Sequence, residues 1–245
     1  MILTKETPIS EVDFLKGSTI LIDKPLEWTS FDVVNKLRYT LKKELGIKKI
    51  KVGHAGTLDP LATGLLILCT GKATKTIESL QVQRKEYTGE FFLGATTPSY
   101  DRETEVDNTY DISALTANDL EAARKSFIGL IHQKPPIFSA IKKNGKALYK
   151  YARAGKEVEI PTREVNIYDF TIGEAALPIV PFKVQCSKGT YIRSLAFDYG
   201  RALNAGGYLH SLVRTKIGEY SLLDAWSLEE LIKEIENSVK PLPTE

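Results

Sequence analysis

The alternation of apolar and polar positions along the chain marks out a series of strands and helices. Residues 19–23 (TILID) read as a short strand that stops at Lys24-Pro25, where proline removes a backbone donor. Val33, Val34, Leu37, Leu41 and Leu45 then recur at helical spacing, with Ser30 as the predicted cap and Gly46 as the left-handed stop. Residues 65–69 are a continuous apolar run closed by Thr70-Gly71, which suits a buried strand. Residues 87–93 alternate, putting Tyr87, Gly89, Phe91 and Leu93 on one face. Further strands are predicted over 165–172, 182–187 and 208–215. A helix over 190–203 turns Ile192, Leu195, Ala196, Tyr199 and Leu203 inward, and Ser227 with Glu230 makes a capping box for a last helix ending before Pro241.

Strands that cluster without regular βαβ alternation predict an α+β fold with a mixed, largely antiparallel central sheet flanked by helices. Residues 1–225 are expected to form one domain, with 226–245 a C-terminal helix and tail. Composition agrees, since 245 residues with 42% apolar and 26% charged content can bury a sizeable core. No window reaches 18 uninterrupted apolar residues, and the acids of MILTKETPISEVDF do not suit a signal peptide, so a cytoplasmic protein with no membrane partner is expected. Cys69 and Cys186 lack CxxC spacing and read as reduced core residues.

Charge changes this picture more than composition does, because a net +2 conceals segregation. Between residues 36 and 51 stand Lys36, Arg38, Lys42, Lys43, Lys48, Lys49 and Lys51 against the single acid Glu44. Between 132 and 156 stand Lys134, Lys142, Lys143, Lys146, Lys150, Arg153 and Lys156, interleaved with Phe138, Tyr149 and Tyr151. Either lysine run alone reads equally as a solvated face, but cations mixed with aromatic rings suit unpaired RNA. The second run lies in a stretch of about 118–162 that is expected to project from the sheet as an insertion.

Candidate chemistry centres on residues 53–64, GHAGTLDPLATG, where Asp59 stands without an acidic neighbour. Gly71-Lys72 fails the P-loop spacing because Leu66 and Ala73 stand where glycine and Ser/Thr are needed. His54, His132 and His210 are too dispersed to suggest a metal, and GxSxG is absent. A single carboxylate can act as nucleophile or base at one centre. Asp59 before Pro60 also reads as the cap of a helix with proline at its first position. Gly53, Gly56 and Gly64 permit close approach and unusual backbone angles around it.

GHAGTLDPLATGLL resembles the catalytic-aspartate motif of the TruB-type pseudouridine synthases. The same family is matched in order by LIDKPLEWTSFDVV (21–34), RKEYTGEFFLGATTPSYD (84–101), QKPPIFSAIKKNGKALYKYARAG (133–155) and CSKGTYIRSLAFDYG (186–200). The resemblance implies the pseudouridine synthase fold with a basic RNA-clasping thumb. It implies isomerisation of the T-loop uridine at position 55 of transfer RNA, after base flipping, with no cofactor and no metal. Asp59 is the implied catalytic residue, paired with Arg193; Tyr87 stacks on the base, Tyr191 and Leu212 line its pocket, and His54 fills space left by flipped nucleotides. Lys142, Lys143, Lys146, Tyr149 and Arg153 belong to the implied thumb, and Gly53, Gly56 and Pro60 shape the loop.

Only about 25 residues follow Tyr220, too few for an independent domain. The expectation is therefore a short form without a C-terminal RNA-binding domain (the PUA domain of longer relatives), working without guide RNA or obligate protein partner, as a monomer. Two other readings stand beside it. One is an RNA-binding or RNA-folding module without catalysis, and the other a nucleoside hydrolase or glycosylase using Asp59 and Asp101.

Overall fold

The computed structural model describes residues 2–139, 141–143, 145–156 and 158–241. They fall into two compact units, one made of the chain up to Tyr87 together with Val213 onward, the other of Thr88–Leu212. Unit one opens with β1 (Ile2–Leu3), β2 (Thr19–Lys24), α1 (Ser30–Glu44), β3 (Val52–His54), β4 (Ala62–Thr70) and α2 (Ile77–Gln81). β5 (Lys85–Leu93) carries the chain into unit two, with β6 (Ala95–Thr96), β7 (Asn108–Thr109), α3 (Ala117–Lys125) and β8 (Gly129–Gln133). There follow β9 (Lys142–Lys143), β10 (Lys146–Ala147), α4 (Leu148–Ala152), β11 (Arg163–Ile172), β12 (Ile179–Cys186) and α5 (Ile192–Ala202). β13 (Gly207–Ile217) leads back to unit one for β14 (Tyr220–Ser221), β15 (Trp226–Ser227) and α6 (Leu228–Ser238).

The sheet of unit one is mixed. β2 runs antiparallel to β4, with Ile20 opposite Leu68 and Ile22 opposite Leu66, while β1 and β15 run parallel to β2. Strand alternation sends Leu66 and Leu68 into a cluster with Val33, Leu37 and Leu41 of α1 and Leu231 and Ile235 of α6. Leu65, Ile67 and Cys69 pack on the other face with Ala55, Ile217 and Ala225. That two-sided burial is why this strand reads as an unbroken apolar run. Ile9 and Phe14 join the first cluster, so the N-terminal segment, to which the sequence assigns nothing, completes a core.

The cap of α1 needs a correction. Thr29, not Ser30, accepts from the backbone N–H of Asp32 at 3.1 Å, and the Asp32 carboxylate accepts from Thr29 N–H at 3.0 Å. Ser30 is buried inside the first turn, and its hydroxyl is committed elsewhere. Gly46 does end the helix with φ +67°.

Unit two carries the antiparallel set β8–β11–β12, in register through Val165 opposite Ile131 and Phe170 opposite Val184. Phe91 stacks on Phe182 at 4.1 Å and meets Tyr199 at 5.5 Å and Phe170 at 6.1 Å, an aromatic core covered by α3 and α5. The Tyr199 hydroxyl donates to Leu120 O at 2.9 Å, and burial raises its pKa. Within the stretch expected to project, α3 packs on α5 and β8 pairs with β11. The β9–β10 hairpin and α4 lie between β8 and β11 along the chain. No helix among the described residues is long and apolar enough to cross a membrane.

Thr29→Ala is expected to lower unfolding free energy by about 1 kcal/mol, read as a lower urea midpoint at unchanged slope. An unmoved midpoint would contradict the cap.

Candidate active site

The loop between β3 and β4, residues 55–61, must satisfy its backbone groups without a helix or a strand of its own. Three sets of bonds in unit one do this. Ser30 Oγ accepts from Leu58 N–H at 2.8 Å and lies 3.2 Å from Leu58 O, to which its hydroxyl donates, so the first turn of α1 grips the residue before Asp59. Arg214, 1% exposed, donates from Nε to Leu65 O at 2.7 Å and from its terminal nitrogens to Gly56 O at 3.0 Å and Thr57 O at 3.4 Å. Ala62 N–H donates to Asp59 O at 3.1 Å, closing a β-turn with Pro60 at its second position. Asp59-Pro60 therefore opens a turn into β4; the helix that the dipeptide predicts does not form.

Two glycines, one in the loop and one in β4, are required by geometry. Gly56 has φ +107°, and Gly64 has φ +99° with the backbone O of Arg214 only 2.4 Å from where a Cβ would stand. Gly53, on β3, leaves space occupied by Ile77, 2.8 Å from its missing Cβ.

Lys24 is wholly buried at the end of β2. Its ammonium donates to Pro25 O at 2.7 Å, Trp28 O at 2.6 Å and Pro60 O at 3.3 Å, using all three donors on neutral acceptors. Burial pulls its pKa down to about 8, the charge of Asp59 pushes it back up, and that of Arg214 pulls it further down. The half-buried Asp59 thus sits within the field of the buried Lys24. His54, opposite Leu68 on β3, is pushed down by burial and by the Arg214 charge, which favours the neutral imidazole. Tyr87, buried on β5, is the last residue of this part of unit one.

Unit two assembles the other predicted residues. Tyr191 caps α5 and is clamped by buried Gln133, whose side chain accepts from Tyr191 N–H at 2.7 Å and donates to Tyr191 O at 3.0 Å. The Arg163 guanidinium lies 5.2 Å from the Tyr191 ring centre. Arg193, 4% exposed, donates to Ser99 O at 3.1 Å and Phe138 O at 2.9 Å, and its Nε is 3.5 Å from the Asp101 carboxylate. Asp101 also accepts from Glu103 N–H at 2.9 Å. Leu212 is buried on β13.

Around the hairpin and α4, Lys143 donates to Glu159 O at 2.6 Å, Lys146 lies 5.0 Å from the Tyr151 ring centre, and Arg153 lies 5.5 Å from that of Tyr149. The side chain of Lys142 lies outside the described residues.

Sequence reasoning assigns no anchoring role to Lys24, Ser30, Gln133 or Arg214. The one local signal for Arg214 is a charge at an inward position of a strand, between Leu212 and Ile217. Arg214→Met is expected to cost about 3 kcal/mol, since it leaves buried carbonyls without donors. Lys24 gives a pH signature. Its folded pKa of about 8 lies below the ordinary 10.5, so between those values the unfolded chain holds more protons and stability rises with pH; below 8 the cost is fully present. Wild-type stability minus that of Lys24→Met is expected to climb across this window in chemical denaturation, and a flat difference would contradict the burial of a charged ammonium.

Comparison with known proteins agrees with the motifs. The model of the N-terminal domain of TruB family pseudouridylate synthases matches residues 42–192. The chain is 57% identical over 214 residues to tRNA pseudouridine synthase B of Flavobacterium johnsoniae, covering 87% of this chain and 93% of that one. It is 49% identical over 234 residues to tRNA pseudouridine synthase B of Parabacteroides distasonis, covering 96% and 100%. Among solved structures, a chain of a Cbf5-Nop10-Gar1 complex is 26% identical with a TM-score of 0.66, over 97% of this chain and 64% of that one. A chain of an H/ACA RNP bound to a substrate RNA is 24% identical with a TM-score of 0.64, over 93% and 60%, and shows the shared fold. This chain spans less than two thirds of either solved chain. With a family model over more than half its length and relatives this similar, the chain belongs to the TruB family of pseudouridylate synthases.

Proposed function

We propose that this protein isomerises a uridine of transfer RNA to pseudouridine, acting on the T-arm at position 55 in the cytoplasm, without a guide RNA. The observation that carries the reading is the carboxylate of Asp59, presented by a turn-closed loop that Arg214 and Ser30 pin in place, on a chain of this family. The reaction breaks the bond from uracil N1 to the ribose, turns the base and rejoins it through C5, whose hydrogen leaves as a proton while N1, freed from the ribose, takes one up. Atoms and electrons balance within the substrate. Asp59 acts as nucleophile or base in this exchange.

The remaining roles are proposed on the family motifs. Arg193 orients the Asp59 carboxylate, a task that suits a buried guanidinium held rigid by two carbonyls. Tyr87, Tyr191 and Leu212 hold the flipped uracil, and His54, neutral and half-buried, fills the gap the flip leaves. Lys143, Lys146, Tyr149 and Arg153 belong to the clasp on RNA. A hydrolase using Asp101 as second carboxylate is disfavoured, because that group is buried, close to Arg193 and engaged by its own turn.

A T-arm transcript tritiated at uridine C5 should release tritium with the wild type, and Asp59→Asn should abolish release while RNA binding survives. Binding without release from the wild type would leave an RNA-binding module, and free uracil would mark a hydrolase. Lys146→Ala with Arg153→Ala should weaken binding and lower the slope of log affinity against log salt, by about 0.7 to 0.9 for each phosphate that is no longer neutralised.

A further inference from the structure

We infer that the exposed aromatic edge formed by Trp28 and Phe31, beside the loop that carries Asp59, is a stacking platform for an unpaired base of the substrate RNA next to the reacting uridine. The inference rests on the RNA-modifying reading above. Its starting point is an apolar surface with no structural job. α1 packs into its unit through Val33, Val34, Leu37 and Leu41, yet Phe31 is 60% exposed, Leu26 48% and Trp28 36%. Exposing two large aromatic rings three residues apart wastes apolar area unless something covers them.

The neighbours on the helix say what covers them. Phe31, Asn35, Arg38 and Lys42 follow one stripe at spacings of three and four, and Lys36, Tyr39 and Lys43 follow the next, with Tyr39 68% exposed. An apolar protein partner seated here would have to bury these cations, at a cost its contacts would not offset. A nucleic acid strand meets both halves of the surface, with bases on the rings and phosphates on the lysines. The basic run from Lys36 to Lys51 thereby acquires a use that the loop chemistry does not give it.

The platform is also fixed relative to the carboxylate. Lys24 bonds Trp28 O and Pro60 O together, Glu27 N–H donates to Pro60 O at 2.8 Å, and Ser30 next to Phe31 holds Leu58. Both aromatic residues are thus tied to the residues flanking Asp59. A base stacked there would keep a constant offset from the reaction centre, which is what selecting one uridine in a loop requires.

The test uses the indole itself. The chain has two tryptophans, so Trp226→Phe leaves Trp28 as the sole reporter. In that background, with Asp59→Asn to stop turnover, saturating T-arm RNA should quench the emission of Trp28 at least twofold. In the otherwise wild-type enzyme, Trp28→Ala with Phe31→Ala should raise KM for transfer RNA about tenfold or more with the effect on KM rather than kcat. Trp28→Phe with Phe31→Tyr, which keep aromatic faces, should restore it, and melting curves should show both variants folded. Unmoved Trp28 emission with RNA that is bound, or an unchanged KM in the double alanine variant, would overturn the platform. So would a free-protein dimer that the double alanine variant dissolves, since the patch would then belong to a second copy. Failure of the functional reading shows differently, as no tritium release from the wild type; quenching by bound RNA would still support the platform in that case.

Discussion

The loop that carries Asp59 depends on one buried cation. Arg214 spends its guanidinium on the carbonyls of Gly56, Thr57 and Leu65, so a segment with no regular hydrogen bonding acquires the fixed geometry of the strands beside it. Few other side chains could do this. A lysine gathers its donors at one point, whereas the planar fork of arginine spreads them over several ångströms and so reaches Leu65 O from one end and Gly56 O from the other. The requirement propagates outward, because Gly64 must lack a side chain where the backbone of Arg214 passes, and Gly56 must take a left-handed angle to turn its carbonyl toward the fork. Asp23 completes the arrangement by accepting from Gly64 N–H at 3.1 Å, a bond that holds its pKa down against the larger upward push of desolvation.

Neutral acceptors explain how one carboxylate can stand in such surroundings. Lys24 is satisfied by three carbonyls, which meet its hydrogen-bonding needs without cancelling its charge. Two cations desolvated in this way would be expensive by themselves, and Asp59 supplies the compensating field, as its effect on Lys24 records. Unit two follows a different arrangement. There Arg193 meets a carboxylate directly, and Asp101 in turn organises its own turn through Glu103 and the hydroxyls of Thr97 and Ser99, both of which donate to its carbonyl.

Periodic features were legible in the sequence and non-periodic ones were not. The apolar run of β4 and the helical spacing of α1 predicted their elements because burial repeats along them. The motifs single out Asp59 and Arg193, whose roles remain proposals. The errors lie where one side chain decides. Ser30 and Thr29 are equivalent as cap candidates in a sequence, and only the buried contact with Leu58 separates them. Asp-Pro opens a β-turn as readily as a helix, and the strand that follows within two residues settles it. Arg214 reaches residues 149 to 158 positions away, a separation at which no local pattern carries information.

The rings and the cations of the proposed RNA-binding surfaces act through different physics, and that difference makes their contributions separable. Contacts from the lysines and arginine of the hairpin gain affinity by releasing counterions, so they weaken steeply as salt rises. Stacking on Trp28 and Phe31 gains it from dispersion and apolar burial, which salt barely screens. A protein that combines them retains a register-setting contact when its electrostatic grip is loosened. For an enzyme that must choose one uridine, the contact tied by hydrogen bonds to the residues flanking the carboxylate should be the salt-insensitive one. On the proposed reading, position would be decided by the rigid aromatic edge beside the Asp59 loop, while the charged hairpin would supply the attraction that brings any transfer RNA within reach.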